Sequence, residues 1–503
     1  MSQSEDKYLH LRKIILKHER QEFMGADLNW TAREAEVDQY LLKLKRSELL
    51  DPAAFSAGES FLTAKEKIDK SKVSAINLQN SLLLREGFSI CKVFEFIRQI
   101  PKGASLHTHL LAAVSADYII KNFTYEDNVY GCFNEQKIFK LRVLQDASQD
   151  RNCSWKSLKA YRREFEENQR NFDDFLNTQL VLDVRSLNQS KEEVWATFKN
   201  TFSTLYDLVS YKGFFGRFVF RLLEELYADN VIYTELRGTF MPIYELNGTT
   251  YDAGVFLDTF IQTVEAFKQL HPDFLGVKYI HNFFRGMSNE AFQAGLDHTY
   301  GVSCMHKYGC FVHSGLDFVG LEENGKCLVE FHEELLGVIN HLKFFLHAGE
   351  TDEFGGTDLN LVDAILLNST RIGHGFALPK HPKLMKMVKS QNIAIELCPI
   401  SNQVLKLLQN LRNHPATALL SKNYPVVVGN DDPSTWNASG LSYDWYYVLM
   451  AMTPEDQGLR VLKKLALNSI EYSAMGEKEK TRAFNVWNEQ WSRFINNFAN
   501  SVK

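Results

Sequence analysis

Cysteine is scarce in this chain: seven in 503 residues, scattered, with no C-x-x-C pair. That excludes a disulfide-built scaffold and a structural zinc site of the paired-cysteine kind. Proline is scarce too, eleven in all, with none between Pro52 and Pro101, so nothing interrupts a helical reading there. No run approaches the ~18 uncharged apolar residues that crossing a bilayer requires, and membrane insertion is not expected. An excess of basic residues is also missing, since the formal net charge is −6. Nucleic acid and anionic membranes therefore lose their usual electrostatic cue, and a small-molecule substrate fits better. The start MSQSEDKYLHLRK lacks the apolar core of a secretory signal, which taken literally makes the chain cytoplasmic. Against that stand seven N-x-S/T sequons, at Asn29, Asn122, Asn152, Asn188, Asn247, Asn368 and Asn437. These are acceptors only in secreted proteins, so a secreted form stays open.

What is present is a 45% hydrophobic content, enough for a large core. Residues 1–100 are charged and apolar at helical spacing and predict a helical N-terminal region. From 101 to 503 the pattern changes to short β-rich runs separated by amphipathic stretches, the alternation of parallel β/α units. Eight runs can be counted: Ala104 to His109, Asn230 to Arg237, Gly276 to Phe284, Cys310 to Phe318, Lys343 to His347, Ser369 to His374, Ile393 to Cys398 and Tyr424 to Asn430. Eight is the number a (β/α)8 TIM-type barrel requires, and an α/β barrel is the predicted fold class. The stretch between the first two runs is too long for one crossover, so residues 123–185 read as an inserted subdomain. Cys132 and Cys153 lie inside it, around a short polar stretch with sequons near both ends. They are a candidate disulfide, two free thiols being the alternative. Cys304 and Cys310, either side of MHKYG, are a further candidate pair.

Several runs end in groups that metal-assisted deamination uses. Strand alternation sends His107 and His109 of SLHTH to the same side, where they can share an ion. Alone, an H-x-H is more often two core or solvated histidines. His347 ends KFFL and supplies a third nitrogen, while Asp431, after PVVVGN, supplies an oxygen. Three histidines and an aspartate suit one Zn²⁺ with a position left for water. VHSGLDFVG offers no lysine to bridge a second ion, so one per chain is expected. Glu350 in HAGE is a candidate acid, and His374, between Gly373 and Gly375, a candidate base or electrostatic partner. Taken singly, GHG reads equally as a tight turn, and Asp431–Asp432 before Pro433 as a helix cap. Their common position at strand ends is what joins them.

At these residues the chain resembles the adenosine deaminase superfamily, and most closely its extracellular branch, the adenosine deaminase-related growth factors. The likeness runs from about Pro101 to Asn497 and includes PKGASLHTH, DNVIYTELR, FFLHAGETD, LNSTRIGHGFALPKHP, ELCPISNQVLKLLQNLRNHP and DDPSTW. It implies that His107, His109, His347 and Asp431 hold zinc, that Glu350 protonates purine N1, and that His374 orients and deprotonates the attacking water. It further implies that Asp432 contacts N7, that the Gly320 backbone contacts N3, and that Trp195 lies in a substrate-covering segment. A core tryptophan reads equally well at Trp195. The helical start resembles a dimerisation arm, implying a homodimer, and the insert a subdomain that contacts a cell-surface receptor or glycan.

The sequence departs from the family where the sugar should bind. An Asp usually follows the second His of H-x-H, directly or one residue on, but Leu110 and Leu111 stand here. Phe284 precedes Arg285 where the branch carries His. The expected reaction is zinc-dependent deamination of adenosine or 2′-deoxyadenosine with altered sugar recognition. The alternative is a secreted growth-factor-like or nucleoside-binding protein with weak turnover. A third reading, a barrel amidohydrolase acting on another cyclic amidine, fits Asp432 and Glu350 less well.

Overall fold

In the computed structural model, residues 5–78, 91–304 and 315–501 are described. Eight parallel strands carry the architecture: β1 Gly103–His109, β2 Val231–Gly238, β3 Gly276–Phe284, β4 Gly315–Val319, β5 His347–Ala348, β6 Arg371–His374, β7 Ala394–Leu397 and β8 Val426–Val428. They pair in chain order as two four-stranded sheets, β1 to β4 and β5 to β8. A bridge between Leu316 and Phe344 joins the sheets at one seam, and a bridge between Thr108 and Asp431 closes the other. The result is the TIM-type barrel that the eight runs predict.

Two strands differ most from their runs, while elsewhere, apart from β3, the ends shift by one or two residues, as in β8. Of Lys343 to His347 only the last residue is in β5, yet Phe345 N–H donates to Leu316 O and Gly373 N–H to Leu346 O, so the segment is still bonded on both sides. Part of the run Cys310 to Phe318, and the pairing of Cys304 with Cys310, lie outside the described residues.

The barrel interior is charged as well as apolar. Glu235 and Arg237 on β2, Asp317 on β4, Arg371 on β6 and Glu396 on β7 are all fully buried. They alternate in sign. Arg371 holds Glu235 at 2.6 Å and Glu396 at 2.6 Å, while Arg237 holds Asp317 at 2.7 Å and also pairs with Glu396. Each buried charge thus has a partner, without which such a layer would be prohibitively costly.

Four helices precede the barrel: α1 Glu5–Glu22, α2 Ala32–Leu49, α3 Phe61–Leu78 and α4 Lys92–Gln99. Later come α5 Lys191–Val209, α6 Ser442–Ala451, α7 Leu459–Glu471 and α8 Glu477–Ser501. At the start of α2, Thr31 and Glu34 form a reciprocal capping box. The same Glu34 accepts from Lys463 at 2.6 Å and from Trp491 Nε1 at 2.9 Å, tying α2 to α7 and α8. Phe55, Phe61 and Phe94 pack edge-on or tilted against Tyr443, Tyr446 and Tyr447 of α6. One apolar core therefore runs from Phe23 to Ala499. Helix α1 differs: none of its residues is buried, and Tyr8, Leu9, Leu11, Ile15 and Leu16 are exposed.

Between β1 and α5 lies a three-stranded antiparallel sheet of Val129–Phe133, Phe139–Val143 and Lys156–Ser157, followed by helices Leu158–Glu167 and Phe172–Leu180. Cys132 and Cys153 are disulfide-bonded there. Among the described residues no helix is long and apolar enough to cross a membrane. All seven sequon asparagines are exposed.

Candidate metal and catalytic centre

The carboxyl ends of β1, β5, β6 and β8 converge at one rim, as barrel strands require. One ligand atom each from His107, His109, His347 and Asp431 lies within 4.8 Å of the other three. Asp431 Oδ1 is 3.3 Å from His107 Nε2 and 3.1 Å from His109 Nε2, the separations of ligands sharing one ion at about 2.0–2.2 Å. His107 Nε2 and Asp431 Oδ1 are buried with no hydrogen-bond partner. Orphaned acceptors facing one point fit a divalent cation.

The other ring nitrogens are set from behind by the charged layer. His107 Nδ1 donates to Glu396 at 2.7 Å and His347 Nδ1 to Asp317 at 2.8 Å, which leaves each Nε2 lone pair for the ion. The Asn282 amide nitrogen is placed 3.1 Å from His109 Nδ1 and its buried Oδ1 has no partner; turned over, with the oxygen toward the ring, the amide would do the same for that ligand. Burial works against a charge on His107, and Arg237 adds to that, but Glu396 and Asp431 outweigh both and raise its pKa. Burial lowers His347 to about 4, with Asp317 only partly offsetting it. Burial opposes the charge on Asp317, yet His347 and Arg237 keep it ionised; for Glu396, Arg237 and Arg371 do so.

Close approach here depends on glycine. A Cβ at Gly429 would meet His107 Cβ at 2.6 Å, and one at Gly373 would meet His347 Cα at 3.1 Å. Two working residues take left-handed backbone without being glycine: His374 at φ 59° and Asp431 at φ 57°. Such conformations cost about 1–3 kcal/mol each and persist only where surroundings impose them. Here barrel closure imposes one, because Asp431 N–H donates to His107 O at 3.0 Å and His109 N–H to Asp431 O at 2.9 Å.

Glu350 stands beside this cluster, its carboxylate Oε1 3.6 Å from His374 Nε2. Glu322 accepts the backbone N–H groups of Gly349 at 3.2 Å and Glu350 at 2.9 Å, so the HAGE turn is held rigidly. Burial, then repulsion from Asp431, Glu322 and Glu323, raises the Glu350 pKa well above the ordinary carboxyl range. A neutral acid results, able to give a proton. Asp432 is raised likewise, by burial and then by Asp431 and Glu350, and its buried Oδ1 has no partner. A protonated Asp432 can donate to a ring nitrogen.

Gly320 follows β4 at φ 109°, with nothing within 4 Å of where its Cβ would be. Trp195 lies on α5, 6% exposed, its Nε1 unpartnered. Helix α5 packs on the Leu110–Ala112 turn that directly follows His109, and Lys191 pins its start to Glu323 at 2.6 Å and Asp352 at 3.2 Å. Leu110 is buried in that turn and Leu111 is half-buried. Phe284 is 60% exposed and therefore belongs to the rim rather than to the enclosed cluster.

Reasoning from sequence missed the residues behind the ligands: Asp317, Glu396, Arg237, Asn282 and Glu322, with Asn402 and His414 behind His374. A signal was there. Charged or amide residues at inward parity inside apolar strands, as in VIYTELRG and AIELC, are costly to bury and stay only where something pairs them.

Comparison with known proteins bears on this geometry. Residues 168–486 match the family model described as adenosine deaminase, and residues 1–76 the one described as adenosine/AMP deaminase N-terminal. The chain is 34% identical to an adenosine deaminase of Lutzomyia longipalpis, covering 99% of this chain and 95% of that one. To adenosine deaminase 2 of Homo sapiens it is 35% identical, over 96% and 92% of the two chains. Among solved structures, the N6-mAMP deaminase of Arabidopsis superposes with a TM-score of 0.56 at 18% identity, over 78% of this chain and 99% of that one.

Proposed function

The chain belongs to the adenosine deaminase family and is an aminohydrolase, and from that premise we propose that it uses one zinc ion to deaminate adenosine and 2′-deoxyadenosine. The observation that carries this is the convergence of three imidazoles and Asp431, with His107 Nε2 and Asp431 Oδ1 orphaned, beside a neutral Glu350. Zinc held by His107, His109, His347 and Asp431 supplies the acidity that lets water act as a nucleophile at neutral pH.

The chain's own residues do the rest. Glu350 hands its proton to purine N1, which makes C6 electrophilic. Asp432, kept protonated, donates to N7, and the Gly320 backbone meets N3, so the ring is read along three edges. His374 faces the oxygen that adds at C6. The hydroxyl proton of the adduct passes to the amino group, which leaves as ammonia with the electron pair of the broken C6–N bond and gives the 6-oxo product, while the other proton of the water restores Glu350.

At the other end of the ring, buried Leu110 and half-buried Leu111 offer no donor or acceptor to a ribose hydroxyl, and Phe284 at the rim offers none either. Sugar recognition is accordingly weak and substrates with apolar N9 groups are tolerated. The test is metal analysis together with steady-state rates on adenosine, 2′-deoxyadenosine and 9-alkyladenines. Bound zinc with no turnover of any of them would favour the second reading, a nucleoside-binding, growth-factor-like protein, for which the apolar Leu110 and Phe284 are the supporting observation.

The further parts of the proposal are a secreted, glycosylated homodimer. Exposure of all seven sequon asparagines and the Cys132–Cys153 disulfide support export to an oxidising compartment. The exposed apolar stripe of α1 supports pairing through the N-terminal helices. Insert 123–185 is assigned the contact with a receptor or glycan. A cavity of about 580 Å³ lined by Tyr125, Glu126, Asp127 and Lys159, polar and aromatic together, supports that.

A further inference from the structure

We propose that Asn402 and His414 are positioning residues which fix the proton of His374 on Nε2, so that His374 donates a hydrogen bond to the oxygen adding at the purine ring. The inference rests on the deaminase reading of the site. It reverses the direction expected of His374 as acceptor of the water's proton.

The direction follows from one end of a buried chain of bonds. The backbone N–H of Ala416 lies 3.1 Å from His414 Nδ1, and a backbone N–H can only donate. Burial lowers His414 to about 3, so its ring is neutral and its single N–H is on Nε2. That nitrogen is 3.0 Å from Asn402 Oδ1, which accepts. The amide nitrogen of Asn402 is then 3.0 Å from His374 Nδ1 and donates to it. Turning the amide over would set its N–H₂ against the N–H of His414, so the orientation is fixed by the chain itself.

His374 Nδ1 is thereby occupied as an acceptor. A ring with no hydrogen on Nδ1 carries its hydrogen on Nε2. This Nε2 is buried, has no partner, and sits 3.6 Å from Glu350 Oε1 and 3.8 Å from Asp431 Oδ2, inside the reacting cluster. A ring in this state cannot take a proton at Nε2. It can orient the incoming oxygen and stabilise the negative charge that builds on it. His374, Asn402 and His414 are each at most 1% exposed, so solvent does not compete for these bonds.

Neutron diffraction from deuterium-exchanged zinc enzyme locates the protons directly: deuterium is expected on Nε2 of both His374 and His414 and on neither Nδ1. Asn402→Asp accepts from both rings and moves the His374 hydrogen to Nδ1; kcat should fall about 10²–10³-fold, the usual loss for a missing oxyanion donor, with KM and bound zinc within about threefold. His414→Gln, whose amide can accept from Ala416 and donate to Asn402, should recover most of kcat. His414→Phe, similar in size but unable to donate, should resemble Asn402→Asp. Deuterium on His374 Nδ1, an unchanged kcat in Asn402→Asp, or equal rates for the two His414 variants would each overturn the proposal. Should the wild type deaminate no 6-aminopurine, the functional reading fails, and the diffraction result still decides where the proton sits.

Discussion

A carboxylic acid that must give up its proton near neutral pH needs surroundings that make its anion costly, and Glu350 has them on every side. It is buried, and Asp431, Glu322 and Glu323 repel its charge. Only the protonated form can act on N1, so kcat/KM should fall about tenfold per unit as pH rises above the raised pKa. A pH–rate profile checks this, and Glu350→Gln, with no proton to give, should lose at least about 10²-fold in kcat while keeping its zinc. The same shift has a stability side. A raised carboxyl pKa contributes stability that is complete below the ordinary carboxyl range and lost as pH rises through the folded value. Behind the ligands, Glu396→Gln removes the carboxylate that orients His107 and anchors Arg237 and Arg371. Zinc affinity should drop about 10–100-fold by competition with a chromophoric chelator. The convergence of His107, His109, His347 and Asp431 was legible in the sequence because all four lie at or beside the ends of strand-like runs, with Glu350 three residues past His347. Asn402 and His414 were not, because their roles depend on hydrogen-bond direction across segments that only the fold brings together.

Elements divide in the same way. Strand β3 is read from the sequence residue for residue, since a β-rich run of nine residues that begins at a glycine suffices. Strand β5 is not: KFFL is apolar on both faces, and its bonding to β4 and β6 is too irregular to register as more than two strand residues. The insert has a small aromatic core in which Tyr161 stacks on Phe172 at 5.2 Å, and Phe139 meets Phe175 at 5.1 Å. Such a core is thin, so the disulfide closing a loop of 21 residues matters to it. Replacing Cys132 and Cys153 by Ser should destabilise the insert by about 3 kcal/mol. Limited proteolysis should then cut within 123–185 sooner, while deamination by the barrel is little changed.

For the whole molecule, the eight runs made the barrel legible, and the continuous core explains why the helical start cannot be treated as an appendage. Glu34 binds three helices at once, and the aromatic contacts of Phe55, Phe61 and Phe94 lie against α6. Helix α1 is the exception, with Ile15 63% and Tyr8 57% exposed. Replacing Leu9 and Ile15 by Glu should convert a dimer to a monomer in light scattering, with kcat unchanged. An unaltered mass would remove α1 from the interface.

The barrel closes between its first and last strands through Thr108 and Asp431, and two of the residues there, His109 and Asp431, are also among the proposed metal ligands. An ion gripping His107 and Asp431 thus acts as a rivet through a hoop, fastening points 324 positions apart along the chain. Stripping it should loosen the hoop at its weld before anywhere else. Chelation at a metal level of about 1,000 Kd would remove about 4 kcal/mol of stability, and amide exchange should quicken first along β1 and β8. An enzyme built so should lose its fold and its chemistry together when the ion is removed.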